Sequence, residues 1–307
     1  MSQAVSYRIV AQGLRFPEGP IAMSDGTVLV AEIAGGAIQR VFPDGRIELL
    51  VETGGGPNGM AIGPDGALYI CNNGGLSYGM GHFTSIGPAS NYRGGYIQRY
   101  DLTTGELTEL YNECNGERLS SPNDIVFDSH GGFYFTDIGK RHLTHRDHGG
   151  VYYACIDGSE IQRVVYPHLS PNGIGLSKDG SLLYFADTET SRLYVYEIVE
   201  PGKVLTYPFP APYGGRVLCG LPGFQRFDSL ALDSDGNICV GTLSTGKITV
   251  ISPAGEVIRQ VSVSDTYPTN ICFGGLDRLT AYVTLSESGQ LAALPWPVPG
   301  LELSFNA

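Results

Sequence analysis

The sequence predicts an all-β fold, a six-bladed β-propeller with four-stranded antiparallel blades, and three observations predict it. The 307 residues include 43 Gly and 18 Tyr but only four Met, with no long run rich in Ala, Glu, Lys and Leu, a composition of many short strands and tight turns. A two-strand pattern recurs six times along the chain. Its period is that of a propeller blade.

The six segments are FPEGPIAMSDGTVLVAE from Phe16, GPNGMAIGPDGALYICN from Gly56, SPNDIVFDSHGGFYFTD from Ser121, SPNGIGLSKDGSLLYFAD from Ser170, RFDSLALDSDGNICVGT from Arg226 and PTNICFGGLDRLTAYVT from Pro268. Each reads as an apolar strand, a turn of the Asp-Gly kind, and a second apolar strand. Positions 18, 58, 123, 172, 228 and 270 are taken as equivalent, and the intervals between them run from 40 to 65 residues. That is room for four strands and loops of varying length. The second half of each unit follows as AIQRVFPDGRIELL, YIQRYDLTTGELTEL, VYYACIDGSEIQRVV, RLYVYEIVEPGKVLTY and KITVISPAGEVIRQVSV, two strands about a glycine-bearing turn. The sixth unit has a third strand near GQLAALPW but no clear fourth before a proline-rich end, so the N-terminal VSYRIV is expected to supply it. Closure of this kind removes the exposed strand edges that an open array would leave. The whole chain, 1–307, is read as a single propeller domain.

Nineteen Lys and Arg against 31 Asp and Glu give a net charge of -12, which disfavours nucleic acid and anionic membrane as partners and suits a small molecule or a cation. The N-terminus lacks a basic stretch followed by an apolar core, and no apolar run reaches the ~18 residues of a membrane span. Six cysteines without a C-x-x-C pair, mostly inside apolar runs, read as reduced, buried thiols. The expected compartment is the cytoplasm.

Function is expected at one mouth of the central channel. When the strands of a blade run up and down, the start of its innermost strand shares a face with the loop between strands two and three. Glu18, Asn58, Asn123, Asn172, Asp228 and Asn270 are therefore expected to converge on the axis, each with a side-chain oxygen. Asparagine after proline is also an ordinary turn residue. Two carboxylates converging in an apolar-walled channel are costly unless a cation pairs them. Glu18, Asp228 and the amides of Asn123 and Asn172 suit a hard divalent cation, most simply Ca²⁺, which takes six to eight oxygens. Mn²⁺ and Fe²⁺ remain open; Zn²⁺ is a poorer match on ligand preference, since none of these positions carries His or Cys.

These motifs carry a resemblance. FPEGP, SPNDIVFDSHGGFYFTD, SPNGIGLSKDGSLLYFAD and FDSLALDSDGNICVGT together resemble the regucalcin/gluconolactonase family, which includes luciferin-regenerating enzymes and, more distantly, diisopropylfluorophosphatase-type phosphotriesterases. The resemblance covers nearly the whole chain. It implies a six-bladed propeller, a metal held at Glu18, Asn123, Asn172 and Asp228, and hydrolysis of a lactone. In regucalcin-like members an Arg two residues before the second-motif Asn helps bind the sugar lactone; that place is Ser121 here, a departure that bears on the aldonolactone preference and leaves the metal set intact.

Asn123 and Ser121 are accordingly candidate substrate contacts. Two long loops on the mouth face add others: Tyr78 and His82 from NGGLSYGMGHFTSIGPASNYRGG, with Tyr92, and His142 and His145 from IGKRHLTHRDHGG, with His148 and three basic residues. No G-x-S-x-G nucleophile elbow and no H-E-x-x-H pair are read in the sequence, so the common serine-hydrolase and zincin routes are not expected. The expected reaction is metal-assisted lactone hydrolysis with Asp228 as general base. A metal-dependent phosphotriesterase and a non-enzymatic calcium-binding propeller are the alternatives, with a metal-free lyase of the strictosidine-synthase type a further option.

Overall fold

The alternation of the repeats becomes six antiparallel sheets arranged as blades around a central channel in the computed structural model, which describes residues 3–4, 6–79 and 85–305. The innermost strands are Pro17–Ala22, Pro57–Ile62, Pro122–Phe127, Pro171–Leu176, Arg226–Leu232 and Pro268–Gly274. Five of the six begin on proline, which has no N–H to give and is tolerated at the first residue of a strand.

Second strands are buried throughout: Val28–Glu32, Leu68–Asn72 and Phe133–Asp137 have no exposed residue. The pleat sends successive side chains to opposite faces, so each second strand feeds two neighbouring blades. Leu29 and Ala31 pack with Met60 and Ile62 of the second blade, while Val28 and Val30 pack with Val10 and Leu291 of the sixth. Six apolar clusters result, one between each adjacent pair of blades. The core is therefore a ring of interfaces around the channel.

The N-terminal segment closes the ring as expected, with the strand beginning at Arg8: Arg8–Gln12 runs antiparallel to Gln290–Pro295, pairing Arg8 with Ala293 and Gln12 with Gln290. Upstream, Gln3–Ala4 lies parallel on Val257–Ser262, the outer strand of the fifth blade. The fourth blade differs from expectation. Its GKV turn makes only the two-residue strand Lys203–Val204, and the outer place along Arg192–Glu200 is completed by Arg216–Gly220. Pro208, Pro210 and Pro212 lie between. Residues without N–H groups cannot extend a ladder, so the chain loops out before returning.

Every innermost strand carries a register shift at its start. In the second blade Pro57 pairs with Asn72 and Met60 with Ile70, leaving two residues opposite one. The same step recurs after Pro122, Pro171 and Phe227. A β-bulge of this kind re-aims the side chains at the extra residue. It sets two tiers about the axis: Glu18, Asn58, Asn123, Asn172, Asp228 and Thr269 in one, and Gly19, Gly59, Asp124, Gly173, Ser229 and Asn270 in the next. Asn270 is thus one place further along than its expected equivalents. Its local bonds match those of Asp124: each backbone N–H donates to a threonine hydroxyl (Thr284, 3.0 Å; Thr136, 3.1 Å) and each side-chain oxygen accepts from the following N–H. Pro268 aligns with Pro57, which puts Thr269 in the first tier.

Glycine in the second tier lets neighbouring strands meet. A Cβ on Gly59 would lie 2.4 Å from Asp124 Oδ1 and 2.6 Å from the Asn123 carbonyl oxygen. Gly59→Ala is expected to destabilise the fold by about 1–3 kcal/mol through overpacking. Thermal melting checks it, and an unchanged midpoint would show that the strands are free to part.

Candidate active site

The loops that lead into the innermost strands are pinned by side chains at the ends of the second strands. Asp137 accepts from the N–H groups of Ser120, Ser121 and Gly139 at 2.7, 2.7 and 2.9 Å. Asp187 accepts from Ser170 N–H and its hydroxyl, and Asn72 Oδ1 accepts from Gly56 and Gly74. With the bulge, these bonds fix where Asn58, Asn123 and Asn172 leave the backbone.

All first-tier residues named above are buried, Glu18 at 2 % exposure and Asp228 at 7 %. Glu18 Oε2 accepts from Gly19 N–H at 3.0 Å and from the Asn270 amide at 3.1 Å. Asn172 donates to Thr188 Oγ1 at 3.0 Å while its Oδ1 accepts from Ser229 Oγ at 3.2 Å. Asn58 Oδ1 and Asn123 Oδ1 are buried with no hydrogen-bond partner. An unsatisfied buried carbonyl is costly, so two of them beside buried carboxylates mark a place built for a further group.

Charge in the channel points the same way. Burial pushes the Glu18 carboxyl well above the usual carboxylate range, and Asp228 adds to the push. Asp228 is raised to about 7, chiefly by burial, with the Asn172 amide and Arg226 opposing and Asp124 adding. Asp124 is raised to about 7 by burial, against hydrogen bonds from Ile125 N–H and Ser229. Burial thus raises all three carboxyls, Glu18, Asp228 and Asp124, above the usual carboxylate range. A divalent cation fits these residues: the donors are all oxygen, two amide oxygens lack partners, and the carboxylates need positive charge. Of the expected set, Glu18, Asn123 and Asp228 meet this description directly, and the Asn172 oxygen is shared with Ser229. Asn58 offers a free oxygen that the expected set omits, although its place in the repeat already marked it.

The raised carboxyls have a consequence for stability. Each folded-state pKa lies above its unfolded value, so the metal-free fold holds more protons than the unfolded chain between about pH 4 and 7, and loses stability as pH rises through that window. Chelator-treated protein is expected to melt lower at pH 8 than at pH 5, and saturating Ca²⁺ to remove that difference. A metal-free melting temperature that rises over the same interval would contradict the assignment.

Tyr78 reaches the site. Its hydroxyl is buried without a partner, its ring packs on Phe16 at 5.9 Å, and its pKa is raised by burial and by the Glu18 carboxylate. Phe16 adopts a left-handed backbone, φ 57°, immediately before Pro17 and Glu18. Ser121 is buried at the base of the Asn123 strand, where its carbonyl accepts from Ile138 N–H at 3.0 Å. His82 lies outside the described residues. His142 and His145 face each other, with ring centroids 4.2 Å apart. Ser77 is held to Pro88 O at 2.8 Å in the strand Leu76–Tyr78. The string Gly75-Leu76-Ser77-Tyr78-Gly79 does match a nucleophile elbow in letters, a match the sequence reading passed over, but Ser77 sits in the middle of the strand Leu76–Tyr78 and not at a strand-to-helix turn.

Two residues of the site had little signal in the sequence. Asp124 stood in the motif SPND without a role, and the register of the bulge gives it one, in the tier behind Asn123. Lys140 is one of the three basic residues of the loop IGKRHLTHRDHGG, yet it is 1 % exposed. Its ammonium donates to Asn73 O at 2.5 Å and Gly75 O at 3.2 Å and lies 4.6 Å from the Tyr92 ring, which ties the two mouth loops together. Burial lowers its pKa to about 8, against the pull of Asp137 and Asp147.

Behind the second tier the channel continues as a cavity of about 260 Å³ with walls of mixed character, apolar at Met60, Ile125, Ile174 and Leu230 and polar at Asp124, Lys178 and Asp179. The C-terminal segment from Leu301 to Phe305 also lines it, and Phe305 packs edge-on against Phe127 at 5.8 Å.

Comparison with known proteins decides the family. The profile of the SMP-30/gluconolactonase/LRE-like region matches residues 16–287. The chain belongs to this family. It is 31% identical to lactonase drp35 of Staphylococcus saprophyticus over 255 residues, 82% of this chain and 71% of that protein. It is 24% identical to a gluconolactonase of Zymomonas mobilis over 294 residues, 87% of this chain and 75% of that one. Among solved structures, a gluconolactonase from Xanthomonas campestris matches 96% of this chain and 90% of its own at TM-score 0.75 and 21% identity. A calcium-binding regucalcin from Agrobacterium tumefaciens matches 99% of both chains at TM-score 0.73 and 19% identity. The structural matches carry the propeller fold; the family and its lactonase members come from sequence.

Proposed function

We propose that this protein is a divalent-metal-dependent lactonase, with Glu18, Asn123, Asn172 and Asp228 holding the metal, a calcium ion by the all-oxygen donor set, at the mouth of the channel. The observation that carries the reading is the buried pairing of Glu18 and Asp228 with the unpartnered Asn123 oxygen, in a family whose named members include lactonases. The bound cation would polarise the lactone carbonyl and favour the developing oxyanion.

The remaining work falls to side chains. Asp228 takes a proton from the attacking water. As the ring C–O bond breaks, that proton passes to the departing ring oxygen, giving a hydroxy acid. Tyr78 Oη, buried without a partner, donates a hydrogen bond to a substrate oxygen. Asp124, hydrogen-bonded by Ser229, holds a second proton-exchanging group behind the metal ligands. The six unpaired cysteines suit a reducing cytoplasm.

The test is a panel of sugar, aliphatic and aromatic lactones followed by proton release, run beside organophosphate triesters. Turnover of a lactone well above that of any triester is expected. The reverse order would make the protein a phosphotriesterase that uses the same oxygens, and no turnover of either class would favour a binding role.

A further inference from the structure

We infer that the hairpin between the second and third strands of the third blade carries a separate binding site for a borderline divalent metal such as Zn²⁺, formed by His142, His145 and Asp147. Backbone bonds build it. Asp147 N–H donates to Lys140 O at 2.9 Å, Arg141 bridges Arg146, and His142 N–H donates to His145 O at 2.9 Å. This closes a tight turn over His142-Leu143-Thr144-His145 and sets the two imidazoles side by side, 8° from parallel. Both turn Nε2 towards one carboxylate, His142 at 3.2 Å from Asp147 Oδ2 and His145 at 4.0 Å from Oδ1.

The three donor groups lie within 4.8 Å of one another, the one such cluster of His, Cys, Asp and Glu among the described residues. Metal–ligand bonds of about 2.0–2.2 Å put tetrahedral donors roughly 3.3–3.5 Å apart. The His142–Asp147 pair is already at that separation, and His145, the more exposed imidazole, closes the rest by side-chain rotation. Two imidazole nitrogens and a carboxylate, with a fourth place for water, suit Zn²⁺, Co²⁺ or Ni²⁺ better than Ca²⁺, which prefers oxygen. The channel site, all oxygen, has the opposite preference.

Two neighbouring cations, Lys140 and Arg146, are turned elsewhere. Lys140 points its ammonium at Asn73 O and Gly75 O, and the Arg146 guanidinium is spent on Ile138 O, Leu169 O and Glu189. Asp147 is also oriented from behind, since its Oδ2 accepts from Ser120 Oγ at 2.7 Å, and that hydroxyl accepts from Lys140 N–H at 2.9 Å. A hydrogen-bonded carboxylate of this sort holds its lone pairs in place for a metal. Ser120 leads directly into the strand of Asn123, so an ion here would fasten the mouth hairpin to the base of that strand.

The test uses full-length protein stripped with chelator, returned to buffer with excess Ca²⁺ to fill the channel site, and titrated with Co²⁺ and separately with Zn²⁺. Calorimetry and the visible absorption of Co²⁺ read stoichiometry and ligand geometry. One equivalent should bind to the parent and to Glu18→Gln, with affinity reduced at least about tenfold in both His145→Ala and Asp147→Asn. His145 is largely exposed, so its removal leaves the core intact. Equal binding by His145→Ala and the parent, loss of binding in Glu18→Gln alone, or no binding by the parent would each overturn the assignment.

Discussion

Asp228→Asn is expected to reduce lactone turnover by about 10²- to 10⁴-fold, the range for loss of a positioned general base, while the propeller stays folded. Asparagine keeps the shape and one carbonyl oxygen, so the first tier remains filled. It cannot take a proton from water. Stability should not fall in the metal-free protein, because the substitution removes a buried carboxyl whose ionised form burial disfavours. Circular dichroism and melting separate that outcome from misfolding. Near-parent turnover by a folded Asp228→Asn variant would remove Asp228 from the chemistry.

Glu18→Gln should act through the metal. Glu18 brings a full charge to the tier, and its neutral replacement leaves only Asp228 and amide oxygens, so Ca²⁺ affinity is expected to drop by at least about 100-fold. Activity measured at limiting Ca²⁺ should be lost, and excess Ca²⁺ should restore much of it. The two substitutions are thereby distinguished: saturating metal rescues the first-blade variant and leaves the fifth-blade variant inactive. Unchanged Ca²⁺ binding by folded Glu18→Gln would place the ion elsewhere.

Most of the architecture was legible because a blade repeats one pleated unit, and a repeat shows itself at a fixed spacing even when loops vary. The ring closure was legible for a related reason: a sixth blade short of one strand needs the other end of the chain. Asn270 was misread by one position. P-T-N was aligned on its asparagine, whereas the bulge is set by the proline, and a single step along a bulged strand changes which tier a side chain joins. The outer strand of the fourth blade was placed too early because the turn at Gly202 resembles its counterparts, and only the proline run beyond it explains why pairing resumes at Arg216.

The site divided in the same way. Glu18, Asn123, Asn172 and Asp228 follow from the repeat, since equivalent positions in a ring must converge. Contacts that depend on long loops did not follow. Tyr78 meets Glu18 through the turned backbone at Phe16, Lys140 crosses from one loop to another, and His142 meets His145 only because of where a short hairpin turns. None of these has a sequence period.

Metal removal and reloading bears most directly on the whole reading. Protein freed of metal by chelator, with its metal content verified, should lose hydrolysis of the best lactone substrate and regain it on addition of Ca²⁺, in proportion to the ion bound, whereas Asp228→Asn, even when loaded at saturating Ca²⁺, should not regain activity. Lactone hydrolysis that persists at full rate in verified metal-free protein would contradict it.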